Sequence, residues 1–146
     1  MILDERNEFA DATALNTGAA GDYVIGDVID LGVAGRDIGN GADLDFVVQV
    51  DTTATSGGSA TLAVSLATDD NSSLSSPTKL VTSPAIAVAS LTAGATVFRV
   101  KVPAGTYERY IGVVQTTGVA AFTAGKINAF LTSDTANWKP YADAVN

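Results

Sequence analysis

Apolar and polar residues alternate with a period of two along most of this chain, and that pattern restricts its fold more than any other feature. Between Asp43 and Asp51, every second residue is apolar, while Asp45, Gln49 and Asp51 point the other way, as in a half-buried strand. Runs of the same character predict about eight strands. They are Tyr23–Leu31, Asp43–Asp51, Thr61–Thr68, Lys79–Thr82, Ala85–Ser90, Thr96–Val102, Glu108–Thr116 and Lys126–Thr132.

Turn signals rich in glycine separate these strands. Ser56-Gly57-Gly58-Ser59 predicts a hairpin turn between two alternating runs, and Thr123-Ala124-Gly125 predicts another turn. The stretch from Gly32 to Gly41 predicts a surface loop between sheets. Short strands with such turns favour an all-β fold. We expect a single-domain antiparallel β-sandwich, with a jelly roll as the leading form.

The two ends of the chain depart from this pattern. We therefore expect an N-terminal arm at residues 1–19, a β-sandwich domain at 20–132 and a C-terminal tail at 133–146. The large apolar residues of the arm do not gather on one helical face, which indicates an extended segment rather than a docked helix. They are Ile2, Leu3, Phe9 and Leu15.

The chain contains no histidine and no cysteine. Most general-base, nucleophilic and transition-metal chemistry near neutral pH uses an imidazole or a thiolate. Enzymes built only from carboxylates, hydroxyls and amines exist, but this composition favours a protein that binds or builds over an enzyme. We therefore expect no catalytic residue, no cofactor and no metal site.

Acidic residues outnumber basic ones, and the formal net charge is −8. This charge argues against a nucleic-acid partner, because phosphate contacts need clustered Lys and Arg. The charge is also divided unevenly, with about −11 on residues 1–70 and about +3 on residues 71–146. The two halves could pair within one folded subunit, which we favour, or support contacts between subunits or with a partner.

The opening residues are acidic where a signal peptide would carry basic residues. The apolar run from Pro84 to Val97 is interrupted by Ser, Thr and Gly and falls short of the ~20 residues of a membrane helix. We therefore expect a protein that is made in the cytoplasm and has no membrane partner.

Two acidic motifs have ordinary structural explanations. The first motif comprises Asp37, Asn40, Asp43 and Asp45 and suggests a calcium-binding loop. It lacks the acids and the final Glu that an EF-hand requires. A solvated acidic loop is therefore favoured, and a calcium ion bound between loops stays an alternative. The other is Glu108, which has no second acid nearby for glycosidase chemistry and is better explained by a salt bridge at a sheet edge.

Trp138 and Tyr141 place large aromatic groups on a tail outside the predicted strands, and Trp138 is the only tryptophan. Short tails rarely carry such groups unless they are buried. Two explanations stay open. The tail folds back on its own sandwich, or it anchors a neighbouring subunit, where aromatic residues often contribute about 2 kcal/mol or more each.

Four segments, in this order along the chain, also carry a resemblance to a known family. They are Ile2–Asp4 with Phe9–Gly18, Ile25–Gly32, Gly105–Val113 and Trp138–Ala144. Together they resemble the capsid cement (decoration) proteins of tailed phages, of the kind found in a short-tailed Bordetella phage. None of the four is a catalytic motif.

The resemblance implies a virion structural protein with a jelly-roll fold that sits on the outside of an assembled phage head. Its partners would be the major capsid protein, whose adjacent copies it cements, and further copies of itself in a dimer or a trimer. The candidate contacts with the capsid or with another subunit are Ile2, Leu3, Phe9, Leu15, Trp138 and Tyr141. Deleting residues 1–15 is then expected to leave the sandwich folded and to abolish capsid binding.

A glycan-binding β-sandwich module on a phage or cell surface is the alternative function. Such a module needs exposed aromatic platforms for sugar rings, and the chain offers few candidates: Tyr23, Tyr107 and Tyr110.

Overall fold

A computed structural model of the chain describes residues 4–36, 38 and 43–133, which form two antiparallel β-sheets packed as a sandwich. The predicted fold class is therefore confirmed. The strands are β1 Glu8–Ala14, β2 Gly21–Asp30, β3 Asp45–Ser56, β4 Thr61–Asp69, β5 Thr78–Thr82, β6 Ile86–Ala87, β7 Thr96–Lys101, β8 Tyr110–Gly118 and β9 Phe122–Thr132. Sheet A has the strand order β1-β9-β3-β7, and sheet B has the order β2-β8-β4-β5, with β6 also paired to β4.

The core lies between the two sheets, and in β3 it is built from the inward-facing residues that the alternation predicts. Phe46, Val48 and Val50 of β3 are all fully or almost fully buried. Each such side chain contributes about 1.5–3 kcal/mol relative to remaining exposed. The largest members from other strands are Phe9, Leu62, Leu66, Ile111, Phe122 and Ile127.

The N-terminal region differs from the expected arm. Residues Glu8–Ala14 form β1, an edge strand that pairs with β9. Phe9 is 0% exposed and Leu15 is 4% exposed, and both belong to the core between the sheets. The expectation of an arm over residues 1–19 is therefore wrong for this segment. Two register shifts along β1 make the consecutive residues Phe9 and Ala10 both buried, so the strand has no period of two to detect.

Two predicted turns have other roles. The segment from Ser56 to Ser59 joins β3 in sheet A to β4 in sheet B, so it crosses between sheets and closes no hairpin. Thr123 and Gly125 lie inside β9, where the register against β3 shifts. Gly125 has a φ of +134°, and a Cβ at this position would lie 2.9 Å from Cα of Ala54. The glycine therefore permits a close approach of two paired strands rather than a turn.

The outer side of β3 is less exposed than the alternation predicts. Asp45, Val47 and Gln49 are buried together with the inward-facing residues between them. β3 is a central strand of sheet A, paired with β9 on one side and with β7 on the other. A half-exposed strand was expected, and the structure instead has one that is covered on both faces from Asp45 to Val50.

Helical structure in the described part of the chain consists of two short 3-10 helices, Glu5–Asn7 and Val88–Ser90. The second shortens the predicted strand Ala85–Ser90 to the two residues of β6. No helix among the described residues is long and apolar enough to cross a membrane.

Candidate interaction surface

One end of the sandwich carries three connections between strands. Asp30, Tyr110 and Asp69 lie side by side at this end of sheet B. The adjoining end of sheet A is tied in by a 2.8 Å hydrogen bond that the amide of Val102 donates to the carbonyl of Leu44. We call this surface the loop end, and its described loop residues are 31–36, 70–77 and 102–109.

Tyr107 fixes the loop that joins β7 to β8. Its side chain is fully buried, and its hydroxyl donates a 2.5 Å hydrogen bond to the carbonyl of Pro103. The carbonyl of Tyr107 accepts a 2.7 Å hydrogen bond from the amide of Gly35, which ties in the loop that follows β2. The amide of Glu108 donates to the hydroxyl of Thr68 at 2.9 Å. Two loops and the end of β4 are therefore held together around one tyrosine.

Asp69 organises the loop that joins β4 to β5. Its carboxylate accepts hydrogen bonds from the amides of Asn71, at 3.2 Å, and Ser76, at 2.8 Å. The bond from Ser76 is the main reason that the pKa of Asp69 is lowered. The side-chain oxygen of Asn71 in turn accepts a 2.9 Å bond from the amide of Ser73. The first and last parts of this loop are thus fixed to the same carboxylate.

Leu74, in the same loop, packs on the outer face of sheet B. It is 3% exposed and forms a small apolar cluster with Ala67, Val114 and Val28. Gly112 lies beneath it, and a Cβ at that position would be 2.6 Å from one methyl carbon of Leu74. This cluster lies outside the main core and holds the loop against its sheet. The sequence pattern alone did not point to it.

Asp30 and Arg109 form a bidentate ion pair on the loop end. The Nε and Nη2 atoms of Arg109 each lie 2.9 Å from a different oxygen of Asp30. These bonds, with the amide of Gly32 as the next contributor, lower the pKa of Asp30 to about 2. Arg109 also stands over the ring of Tyr110, with 5.1 Å from its guanidinium carbon to the ring centroid. Because both charged groups are about half exposed, the pair orders the surface more than it stabilises the fold.

Each ion pair found among the described residues joins an acid of residues 1–70 to a base of residues 71–146. This is the intramolecular pairing that the divided charge of the sequence favoured. The pairs are Asp22–Lys79 at 2.8 Å, Asp30–Arg109 at 2.9 Å, Asp45–Lys101 at 3.6 Å and Asp43–Lys101. The sequence suggested a salt bridge for Glu108. In the structure its neighbour Arg109, just before β8, forms an ion pair with Asp30 at the end of β2.

The predicted contact residues divide into two groups. The structure brings Phe9 and Leu15 into the core, which corrects the expectation that they contact a partner, because side chains this deeply buried offer no surface to another subunit. The other candidates lie outside the described residues and stay predictions. They are Ile2, Leu3, Trp138 and Tyr141.

The three tyrosines proposed for sugar binding do not form a common platform. Tyr107 is fully buried, and Tyr110 is covered on one side by Arg109. The hydroxyl of Tyr23, which lies in β2, donates a 2.7 Å hydrogen bond to the carbonyl of Ala19 just before that strand. These positions give no support to the glycan-binding alternative.

The acidic cluster considered for calcium is only partly described. Asp43 and Asp45 both contact Lys101, while Asp37 and Asn40 lie outside the described residues. No group of three or more potential metal ligands occurs within residues 4–36, 38 and 43–133.

The described residues define an all-β sandwich with ion pairs between its acidic and basic halves and with a loop end braced by hydrogen bonds. The chain belongs to the Bbp16 family, a Bordetella phage protein family, whose model matches residues 9–131. The match spans the sandwich from β1 to β9, so this is a bacteriophage-related protein. No curated protein matches the chain.

Proposed function

We propose that this protein is a virion structural protein that binds the outside of the assembled phage head and cements adjacent major capsid proteins. The observation that carries the proposal is the Bbp16 family match, which covers the sandwich from residue 9 to residue 131. The likeness of four segments to capsid cement proteins supports the same role. The proposed role needs no catalytic step and no cofactor, and it places the protein on the capsid exterior after synthesis in the host cytoplasm.

The strand order supports a jelly roll as the form of this sandwich. The chain crosses repeatedly between the sheets: β1, β3, β7 and β9 lie in sheet A, while β2, β8 and the consecutive strands β4, β5 and β6 lie in sheet B. The last strand returns to lie beside the first, and β8 returns to lie beside β2. Such winding of two antiparallel sheets is typical of double-sheet jelly rolls.

The loop end is the surface that we propose faces the capsid. Binding is costly when loops must be ordered, and a preformed surface avoids part of that cost. Tyr107, Asp69 and Asp30 already fix the loops at this end through the hydrogen bonds described above. Exposed positions such as Ala104 lie on the same surface and could contact a partner without disturbing the core.

Self-association fits the same role. Symmetric dimers are the commonest oligomers, and a dimer at a two-fold position could touch two capsid subunits at once. The second contact then forms within one complex, so each individual contact can be weak. We therefore propose a homo-oligomer, with a dimer favoured over a trimer.

Co-sedimentation with expanded, undecorated heads tests the proposal, with unassembled major capsid protein as the comparison. Saturable binding to heads at a fixed ratio to capsid subunits is expected. No binding at micromolar concentration would contradict the cement function.

Two arginine substitutions test the loop end in the same assay. Ala104→Arg adds a large side chain to an exposed loop-end position, and Ser59→Arg adds the same side chain at the opposite end of the sandwich. We expect Ala104→Arg to weaken binding and Ser59→Arg to leave it unchanged. The reverse result would overturn the loop-end assignment while leaving the cement function in place.

A further inference from the structure

Two large apolar side chains on the outer face of sheet A are almost completely buried. Phe130 of β9 is 1% exposed, and its cross-strand partner Val47 of β3 is 2% exposed. The residues on either side of each belong to the core between the sheets: Phe46, Val48, Ala129 and Leu131. Because successive side chains of a strand point to opposite faces, Phe130 and Val47 point away from that core.

Polar neighbours on the same face are buried as well. Gln49 is 2% exposed, Thr132 is 7% exposed and Asp45 is 8% exposed. Thr132 pairs directly with Asp45, two positions along the ladder from the pair formed by Phe130 and Val47. On an uncovered sheet face, such side chains would be in contact with water. Their joint burial indicates a second layer over this face.

The apolar clusters formed within the described residues lie elsewhere. One fills the space between the sheets, and the other lies under Leu74 on sheet B. At the β1 side of sheet A, residues 4–7 are exposed and polar, so they are poorly suited to cover a phenylalanine ring. The residues that cover Phe130 and Val47 therefore belong to another part of the chain.

We propose that residues 134–146 lie across the outer face of sheet A, with Trp138 packed over Phe130 and Val47. The segment starts beside this face, since Thr132 is both the last residue of β9 and one of the buried side chains. Its 13 residues can span up to ~43 Å when extended. A sheet of four strands is only ~15 Å wide, so the segment is long enough to cross it.

The composition of the segment matches the face. It contains Trp138 and Tyr141, which need a buried environment, and the face offers an apolar centre. It also contains two acids, Asp134 and Asp143. On the same face, β7 carries two bases, Arg99 opposite Val47 and Lys101 opposite Asp45. The segment therefore matches the face both in charge and in hydrophobicity. Of the two explanations that the sequence left open for the tail, this face supports folding back on the same subunit.

Fluorescence of the full-length protein tests the proposal directly, because Trp138 is the only tryptophan. In the absence of any capsid protein, we expect Trp138 to have blue-shifted emission and to resist quenching by acrylamide. Both properties should be independent of protein concentration. Ready quenching of Trp138 in the free protein would overturn the proposal, as would protection that disappears on dilution, which would indicate a second copy as the occupant.

Variants then locate the contact. Phe130→Ala removes the proposed partner ring, and we expect a several-fold rise in the quenching constant of Trp138. Val47→Thr keeps a β-branched side chain, so it tests the same contact if Phe130→Ala fails to fold. Val24→Thr is the matched control, since Val24 is an exposed residue of β2 in the other sheet. Equal quenching in Val47→Thr, Val24→Thr and the unmodified protein would also overturn the proposal. None of these measurements depends on the cement function.

Discussion

Gly26 lies in β2 at the point where this edge strand of sheet B passes the edge strand β1 of sheet A. It has a φ of +74°, and a Cβ at this position would clash with the carbonyl oxygen of Phe9. The register between β2 and β8 shifts between Ile25 and Ile29, so Gly26 sits inside a bulge. Glycine is therefore needed at this position for two reasons: the backbone is left-handed, and a side chain would occupy the space of the neighbouring strand.

Substitution of Gly26 separates these requirements. Gly26→Ala is expected to lower the free energy of unfolding by more than ~1 kcal/mol, because alanine is strained at positive φ and its methyl group meets the β1 backbone. Gly32→Ala is the control, since Gly32 has a φ of +85° and open space around it. Urea unfolding of both variants measures the two costs. A cost for Gly26→Ala no larger than that for Gly32→Ala would contradict the close approach.

The ion pair of Asp30 makes the stability of the folded protein depend on pH in the acid range. The pKa of Asp30 falls from the ordinary value of 3.8 to about 2 in the folded state, mainly through the hydrogen bonds from Arg109. The unfolded chain therefore takes up a proton first as the pH falls. The stabilisation from this pair is complete above the ordinary pKa and is lost as the pH falls through about 2.

Asp30→Asn tests this dependence. We expect the variant to be less stable than the unmodified protein at neutral pH, and the difference to shrink as the pH falls below 4 toward the folded-state pKa of about 2. Asp27→Asn removes the same charge from an exposed position of the same strand and serves as the control. Denaturant unfolding between pH 7 and the acid limit of the native state gives the measurement. A difference that stays constant over this range would show that the ion pair is not its source.

At the scale of elements, β1 is an integral strand of the sandwich. It pairs with β9 at the edge of sheet A, and the ring of Phe9 packs edge-on against Phe46 with 6.0 Å between ring centroids. Leu15 follows the strand, and its amide donates a 2.9 Å hydrogen bond to the carbonyl of Gly125. Deleting residues 1–15 would remove this strand and both buried side chains. We therefore expect that truncation to destabilise the sandwich, contrary to the expectation from the sequence.

A single substitution distinguishes a core strand from a free arm. Phe9→Ala is expected to lower the free energy of unfolding by about 3–5 kcal/mol, the usual cost of emptying a buried aromatic site. Asp11→Ala, at an exposed position of the same strand, should change it by less than ~0.5 kcal/mol. Thermal or urea unfolding checks both. An unchanged stability in Phe9→Ala would return β1 to the role of an arm.

For the whole molecule, the ion pairs among the described residues link the acidic first half of the chain to the basic second half. The sandwich interleaves these halves, since β2 and β4 of the acidic half flank β8 of the basic half in sheet B. The uneven charge of the sequence is therefore used partly within the subunit, and it is no reason by itself to invoke an oppositely charged partner. Binding to a capsid would then depend on repeated contacts more than on a strong net field.

The cement proposal makes a quantitative prediction at this scale. If one oligomer bridges adjacent capsid subunits, its apparent affinity for assembled heads should exceed that for unassembled capsid protein by about 10²–10⁴-fold. Titration of both forms with labelled protein gives the ratio. Equal affinities would mean that each subunit binds a single capsid protein without bridging.

The alternation of apolar and polar residues was enough to predict strands such as β4 and β7, and hence the all-β class, because a period of two is typical of a strand whose apolar side chains face a core. The sequence also indicated the pairing of its two charge halves. Which strands share a sheet could not be predicted in this way, since Ser56–Ser59 has the composition of a hairpin turn yet crosses between sheets. The bulges that hide the alternation of β1, and the burial of Phe130 and Val47 on the outer face of sheet A, were also beyond the sequence pattern, because both depend on tertiary packing rather than on the order of apolar and polar residues within one strand.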